Sequence, residues 1–208
     1  MRKSGFVLLA VLAAATYVCN GQDDSIAAND LTFRETLASR AGDARLYFVV
    51  GNGWLLGIRS KNSGQFITDW LAAHPSATVI PISRSFDTNT RTKQTTESVY
   101  IWIEDGGRSL NVDSVRAGIF PASEMRDMVD TRKGVDELLK DPKMASAKAE
   151  ADKERAEAPQ DRVERLITED DYIVRMRRID EAEALARKEK LGVWSDAKEE
   201  ERQAQGYP

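Results

Sequence analysis

The chain has 208 residues, with 30 lysine and arginine residues against 34 aspartate and glutamate residues. This length suits one domain with additions rather than two full domains, and the acidic balance excludes the class of strongly basic nucleic-acid-binding proteins. The single cysteine, Cys19, excludes a disulfide within the chain. Stability must therefore come from packing, and thiol catalysis and zinc–thiolate sites are excluded from the folded part.

The first 21 residues have the pattern of a secretory signal peptide. A positively charged start precedes an apolar run over residues 5–18, which is too short for a comfortable membrane span. Cleavage after Gly21 predicts an exported chain, periplasmic or secreted, with a net charge of −6 and no transmembrane span. Lipidation of Cys19 is the alternative, although the two residues before it are larger than a lipoprotein signal prefers.

The next part of the chain contains apolar runs separated by turn residues. Residues 22–40 are polar with scattered apolar positions, so we expect an N-terminal tail that is ordered in part. Residues 45–50 and 54–58 flank an Asn-Gly turn at Asn52, which predicts a β-hairpin. The pattern then predicts, in chain order, a helix at 65–73, a strand at 78–82 and a polar loop at 84–96.

Residues 97–120 combine a strand, a turn and a short helix. The run from Val99 to Ile103 is β-branched and aromatic, which predicts a buried strand. A glycine turn follows, and Asn111 occupies the expected N-cap position of a helix that Gly118 ends. Beyond this helix the composition is typical of solvated helices, and a last long helix is predicted to begin at residue 160.

Two segments resemble the staphylococcal nuclease (thermonuclease-like) family. One is L-N-x-x-x-V-R-x-G from Leu110 to Gly118, and the other is E-A-x-A-x-x-x-K-L-G-x-W-S from Glu183 to Ser195. The resemblance implies an α+β fold, a five-stranded OB-type β-barrel with packed helices, extended here by a charged helical segment. The expected organisation is a signal peptide at 1–21, a tail at 22–40, the barrel at 41–125, a charged helical insertion at 126–174, a C-terminal helix and anchor at 175–196, and a tail at 197–208.

The family's active members hydrolyse phosphodiester bonds of DNA and RNA with calcium, carboxylates, a glutamate and two arginines. On this chain the resemblance puts Trp54 and Glu97 at the two arginine positions, Arg59 at a metal aspartate position and Asn62 at the glutamate position. Asp43 alone remains of the metal carboxylates. Because a cation at Arg59 opposes calcium binding, we expect no metal site and no cofactor.

Two functions remain open on the sequence. The first is a catalytically degenerate binding or structural module with no confident catalytic residue, whose charged helices offer a surface for a protein partner that the sequence does not identify. Its polar loop holds candidate anion-binding residues, Arg84, Arg91 and Lys93, with an ordinary solvated loop as the alternative.

The second function is a divergent calcium-dependent nuclease that acts on DNA or RNA. Only this alternative requires calcium or a nucleic-acid partner. Its site would be rebuilt from residues such as Asp43, Arg84, Asp87, Arg91 and Glu104.

Overall fold

The computed structural model describes residues 26–34, 37–40, 45–50, 63–89, 91–157 and 162–195. Over these ranges it is an α+β structure with eight strands and five α-helices. The strands are β1 (Ile26–Ala27), β2 (Leu31–Arg34), β3 (Leu37–Arg40), β4 (Leu46–Val49), β5 (Thr78–Thr88), β6 (Thr95–Asp105), β7 (Arg108–Ser109) and β8 (Arg162–Arg165). The helices are α1 (Ser63–Ala73), α2 (Leu110–Arg116), α3 (Met128–Leu138), α4 (Ala145–Glu157) and α5 (Glu169–Lys188).

The strands form one sheet that nearly closes into a barrel. The order along the sheet is β1-β5-β6-β4-β3-β2, with β7 and β8 pairing at the sides of β6 and β5. The two ends of this path, β1 and β2, are connected by the short 3-10 turn Ala28–Asp30. β4 and β6 are parallel, whereas the other described neighbours are antiparallel. This arrangement is compatible with an OB-like fold.

The described part of residues 22–40 belongs to this sheet. Leu31 and Ala38 are buried in the core next to the barrel strands, while Thr32 between two apolar neighbours is exposed. Strands this short contain too few apolar residues for the alternation to stand out against a polar tail. The ordered part of the expected tail is therefore structural, because it supplies both ends of the sheet.

The polar loop predicted at 84–96 is wrong over most of its length. β5 continues to Thr88 and β6 begins at Thr95, so only a short turn separates two strands of 11 residues each. The ladder shifts register between Pro81 and Ser83. Beyond this shift Ser83 and Ser85 of β5 are buried and lie between β6 and β8 in the sheet, so a strand rich in polar residues is still part of the barrel.

The two faces of β6 contribute to two separate cores. Val99, Ile101 and Ile103 pack in one cluster with α1 and the neighbouring strands. Tyr100 and Trp102 point to the opposite face, where they pack with α2 and α5. This alternation confirms the buried strand predicted from the β-branched and aromatic run.

The capping residue of α2 differs from the prediction. Ser109 is the N-cap residue, and its Oγ accepts a hydrogen bond from Val112 N at 3.5 Å. Asn111 lies inside the helix and is buried. Its Oδ1 accepts from Ile103 N at 3.0 Å, and its Nδ2 donates to Ile101 O at 3.1 Å. The amide therefore joins the helix to the barrel rather than capping its start.

The C-terminal part also begins differently from the prediction. Residues 162–165 form β8, which pairs with β5, and α5 starts only at Glu169. Thr168 caps this helix, because its Oγ1 accepts from Asp171 N at 3.1 Å. The pair Val193 and Trp194 is buried after the helix, as its bulk predicts. None of the described helices is long and apolar enough to span a membrane.

Candidate functional site

The predicted anion-binding residues lie at two different levels of the β5–β6 hairpin. Arg84 is within the strand ladder, opposite Val99. Arg91 and Lys93 lie in the exposed turn between the strands. Asn89 organises this turn, because its Oδ1 accepts from the backbone nitrogens of Arg91 and Thr92, each at 3.0 Å.

Arg84 is engaged by carboxylates on both neighbouring strands. Its Nη1 lies 3.8 Å from Glu97 Oε1 on β6, and its Nε donates to Glu164 on β8. All three side chains are partly shielded, with exposed fractions of 26% for Arg84, 31% for Glu97 and 37% for Glu164. Carboxylates from two strands therefore engage this one guanidinium, so Arg84 is not open to an incoming anion.

Asp87 and Glu104 lie toward opposite ends of the same hairpin. Asp87 pairs with Thr96 and Glu104 pairs with Thr78, which places them about 30 Å apart at the usual rise of a strand. Glu104 accepts hydrogen bonds from Trp102 Nε1 at 3.0 Å and Arg175 Nη1 at 3.3 Å. A rebuilt nuclease site cannot combine these two acids.

Other predicted site residues lie outside the described ranges. They are Cys19, Asp43, Trp54, Arg59 and Asn62. The second strand predicted at 54–58 and the signal peptide also fall there. Across the ranges that the structure does describe, no group of three or more histidine, cysteine, aspartate or glutamate side chains is arranged to hold a metal ion.

A groove of about 330 Å³ opens beside the hairpin, between β5 and β8 on one side and α3 and α4 on the other. Most of its lining is apolar or cationic. The residues that line it are Phe86, Asp87, Met128, Thr131, Arg132, Val135, Ala151, Arg155, Arg162 and Val163. We call this surface the arginine groove.

The three guanidinium groups of the arginine groove differ in their partners. Arg155 pairs with Asp136 and lies 4.0 Å from Asp152. The guanidinium carbon of Arg162 lies 4.4 Å from the centre of the Phe86 ring. Within the described chain, neither Arg132 nor Arg162 has a carboxylate partner. Since Asp87 is the acid that lines the groove, its surface has an excess of positive charge.

A buried ion cluster holds the helix that forms one wall of this groove. Asp127 caps α3, because its Oδ1 accepts from Asp130 N at 2.9 Å. Arg165 on β8 donates to both oxygens of Asp127, at 3.1 and 3.2 Å, and to Asp130 at 2.8 Å. The guanidinium carbon of Arg165 lies 3.7 Å from the centre of the Tyr172 ring on α5. Arg165 therefore joins β8, α3 and α5.

Burial and charge act on the ionisable groups of this cluster. Burial opposes the charged form of Arg165, yet its hydrogen bonds to Asp127 and Asp130 outweigh that effect and raise its pKa. Burial also raises the pKa of Tyr172 well above its ordinary value, and the negative charge of Asp127 adds to the increase. Tyr172 therefore remains a neutral donor, and its hydroxyl donates to Asp130 at 2.8 Å.

The arginine groove was not found from the sequence. Arg132 and Arg155 lie in charged segments, where most such side chains are solvated. Arg162 meets Phe86 only because β8 pairs with β5, with Phe86 directly opposite Arg162. The alternation of Val163 with its polar neighbours was the one available sign of that strand.

No family model matches the chain, and comparisons with curated proteins and with solved structures find no match either. The chain is therefore described by its own fold and surface. It is an α+β chain with a nearly closed, barrel-like sheet and a cationic groove beside it.

Proposed function

We propose that the chain is an exported, thermonuclease-like domain that has lost phosphodiester hydrolysis and acts as a binding or structural module. In this proposal the barrel is the five-stranded OB-type scaffold of the family. Export places it in the periplasm or outside the cell, and no cofactor is needed.

The pairing of Arg84 with Glu97 is the observation that carries this proposal. Hydrolysis of a phosphodiester needs positive groups that are open to the phosphate and to the charge of its transition state. Glu97 stands where the resemblance puts an arginine, and its Oε1 lies 3.8 Å from Arg84 Nη1. The same guanidinium donates to Glu164. A nearby cation is thus occupied by acids rather than open to a phosphate.

The packing of the two family-like segments supports the scaffold part of the proposal. Val193 N donates to Gly118 O at 2.8 Å, which joins the end of the first segment to the end of the second. Arg116 Nη2 donates to Glu189 Oε1 at 2.7 Å across the same contact. Two motifs separated by many residues of sequence therefore meet in one unit, as a shared scaffold requires.

The test is hydrolysis of labelled single-stranded DNA and RNA by the mature chain, residues 22–208, with calcium and with a chelator. Asp43→Asn removes the last carboxylate expected at the metal site, and Asp152→Asn removes an exposed acid as a matched control. We expect no cleavage by any of the three proteins. Calcium-dependent cleavage that Asp43→Asn abolishes and Asp152→Asn keeps would overturn the proposal and assign the divergent nuclease instead.

A further inference from the structure

We infer that the arginine groove binds a small phosphate monoester that carries an aromatic or apolar body. This inference rests on the binding role proposed above and assigns that role to a particular surface. Phe86 forms one edge of the groove and shares a face of β5 with Arg84, whose guanidinium carbon lies 5.4 Å from the centre of the Phe86 ring, so the Arg84–Glu97 pair borders the groove.

The size of the groove suits a small ligand. Its volume of about 330 Å³ falls at the lower end of the range of roughly 300–1,000 Å³ found for small-molecule sites. A ring with one phosphate group fits this volume, whereas a folded macromolecular segment does not. Five of its ten lining residues are apolar and four are charged, a combination of apolar surface and convergent charged groups that suits a ligand site.

The charge of the groove selects the head group. Arg132 and Arg162 have no carboxylate partner among the residues with described positions. A phosphate monoester carries a charge of about −1.5 to −2 near neutral pH, which matches two unneutralised guanidinium groups. A carboxylate carries only one negative charge and two oxygens, whereas a phosphate monoester has three terminal oxygens that can accept hydrogen bonds from two guanidinium groups at once.

The apolar lining selects the body of the ligand. Phe86, Met128 and Val163 line the groove together with Val135, whose 42% exposed fraction is high for a valine. Arg162 already lies over the Phe86 ring. A bound aromatic ring would cover Val135 and exclude water from the guanidinium groups, which strengthens their attraction for phosphate.

Two walls of the groove, β8 and α3, are tied to the rest of the fold. β8 is held by its ladder with β5, and α3 is held by Asp127 and Arg165. Preformed walls lower the entropy that binding must overcome. β8 and α3 are therefore in place without a ligand.

The experiment is calorimetric titration of the mature chain with phenyl phosphate, with inorganic phosphate and phenol as comparators. Arg132→Gln and Arg162→Gln each remove one groove cation. Arg177→Gln is the matched control, because Arg177 is exposed on α5 outside the groove. We expect phenyl phosphate to bind more tightly than either comparator. Each groove variant should weaken it by at least about tenfold, and the control variant should leave it unchanged.

A second kind of variant keeps the test decisive if an arginine change disturbs folding. Val135→Glu places a carboxylate at an exposed position of the groove, so it should weaken phenyl phosphate binding without an effect on the circular dichroism spectrum. Absence of phenyl phosphate binding at millimolar concentration would overturn the inference. Equal affinity for inorganic phosphate, or equal weakening by Arg177→Gln, would do so as well.

The two proposals fail in different ways. Cleavage of nucleic acid would overturn the proposed loss of hydrolysis, and the titrations would still decide whether the arginine groove binds its ligand. Failure of phenyl phosphate to bind would remove the groove assignment, and the hydrolysis result would stand unchanged.

Discussion

The backbones of Gly118 and Gly192 are in direct contact. A β carbon on Gly192 would lie 2.0 Å from Gly118 O, and one on Gly118 would lie 2.2 Å from Leu191 O. Both glycines have positive φ, 67° and 51°, a conformation that other residues rarely adopt. The end of α2 and the turn after α5 can therefore approach this closely only while both positions lack side chains.

Replacing either glycine with alanine should destabilise the fold strongly. Gly192→Ala forces a methyl group into backbone that cannot move aside and adds strain at positive φ, so we expect a loss of at least about 2 kcal/mol. Urea denaturation of the mature chain measures this as a lower midpoint. Gly134→Ala is the control, because its β carbon would meet nothing within 4 Å inside α3, and alanine favours helix. A small effect of Gly192→Ala would contradict the described contact.

The buried ion cluster gives a second prediction. Asp127→Asn keeps a good capping residue at the start of α3 but removes a charge that faces Arg165, whose side chain is only 8% exposed. Removal of one partner from a buried pair typically costs about 3–5 kcal/mol. Asp130 and Glu169 still pair with Arg165, so we expect the low end of that range. Asp152→Asn, at an exposed pair with Lys148, should leave the urea midpoint unchanged.

Stability should fall at alkaline pH because of the buried tyrosines. Burial raises the pKa of Tyr172 and of Tyr100 in the folded chain, whereas an unfolded tyrosine has a pKa of about 10. Above that pH the unfolded chain loses these protons first. The stabilisation is therefore complete below about pH 10 and is lost as pH rises through the folded pKa values.

Tyr172→Phe tests this pH dependence. Each such tyrosine contributes a slope of up to about 1.4 kcal/mol per pH unit above its unfolded pKa. The free energy of unfolding, measured from about pH 9 to about pH 11.5, should therefore fall less steeply in the variant. The variant also loses the hydrogen bond to Asp130, so its stability at neutral pH should be lower. An unchanged alkaline slope would show that Tyr172 is not the group responsible.

Local sequence patterns predict some parts of this fold well. The buried strand around Trp102, the helix stop at Gly118 and the anchor at Trp194 all depend on chemistry within a few residues. β-branched runs, positive φ and bulky apolar pairs act locally, so they can be recognised without knowledge of the fold. These features are confirmed in the structure.

Features that depend on distant partners could not be predicted. The polar residues of β5 form a strand because β6 and β8 supply hydrogen bonds on both sides. β8 itself has only one apolar residue, Val163, and depends on β5 for its pairing. The arginine groove exists only after this pairing and the packing of α3, so no local pattern identifies it.

Asn111 illustrates the same limit and gives the last prediction. At the start of a short helix an asparagine is a natural capping residue. Here, however, its amide lies inside the protein and forms hydrogen bonds with two backbone groups of β6, Ile103 N and Ile101 O. Asn111→Ala leaves Ile103 N and Ile101 O without these partners in a buried position. A buried polar group without a partner costs about 1–3 kcal/mol, so we expect a loss of at least about 2 kcal/mol in urea denaturation. Asn89→Ala, in the exposed hairpin turn, should cost less than about 1 kcal/mol, and equal losses for the two variants would mean that the Asn111 amide acts as an ordinary surface cap.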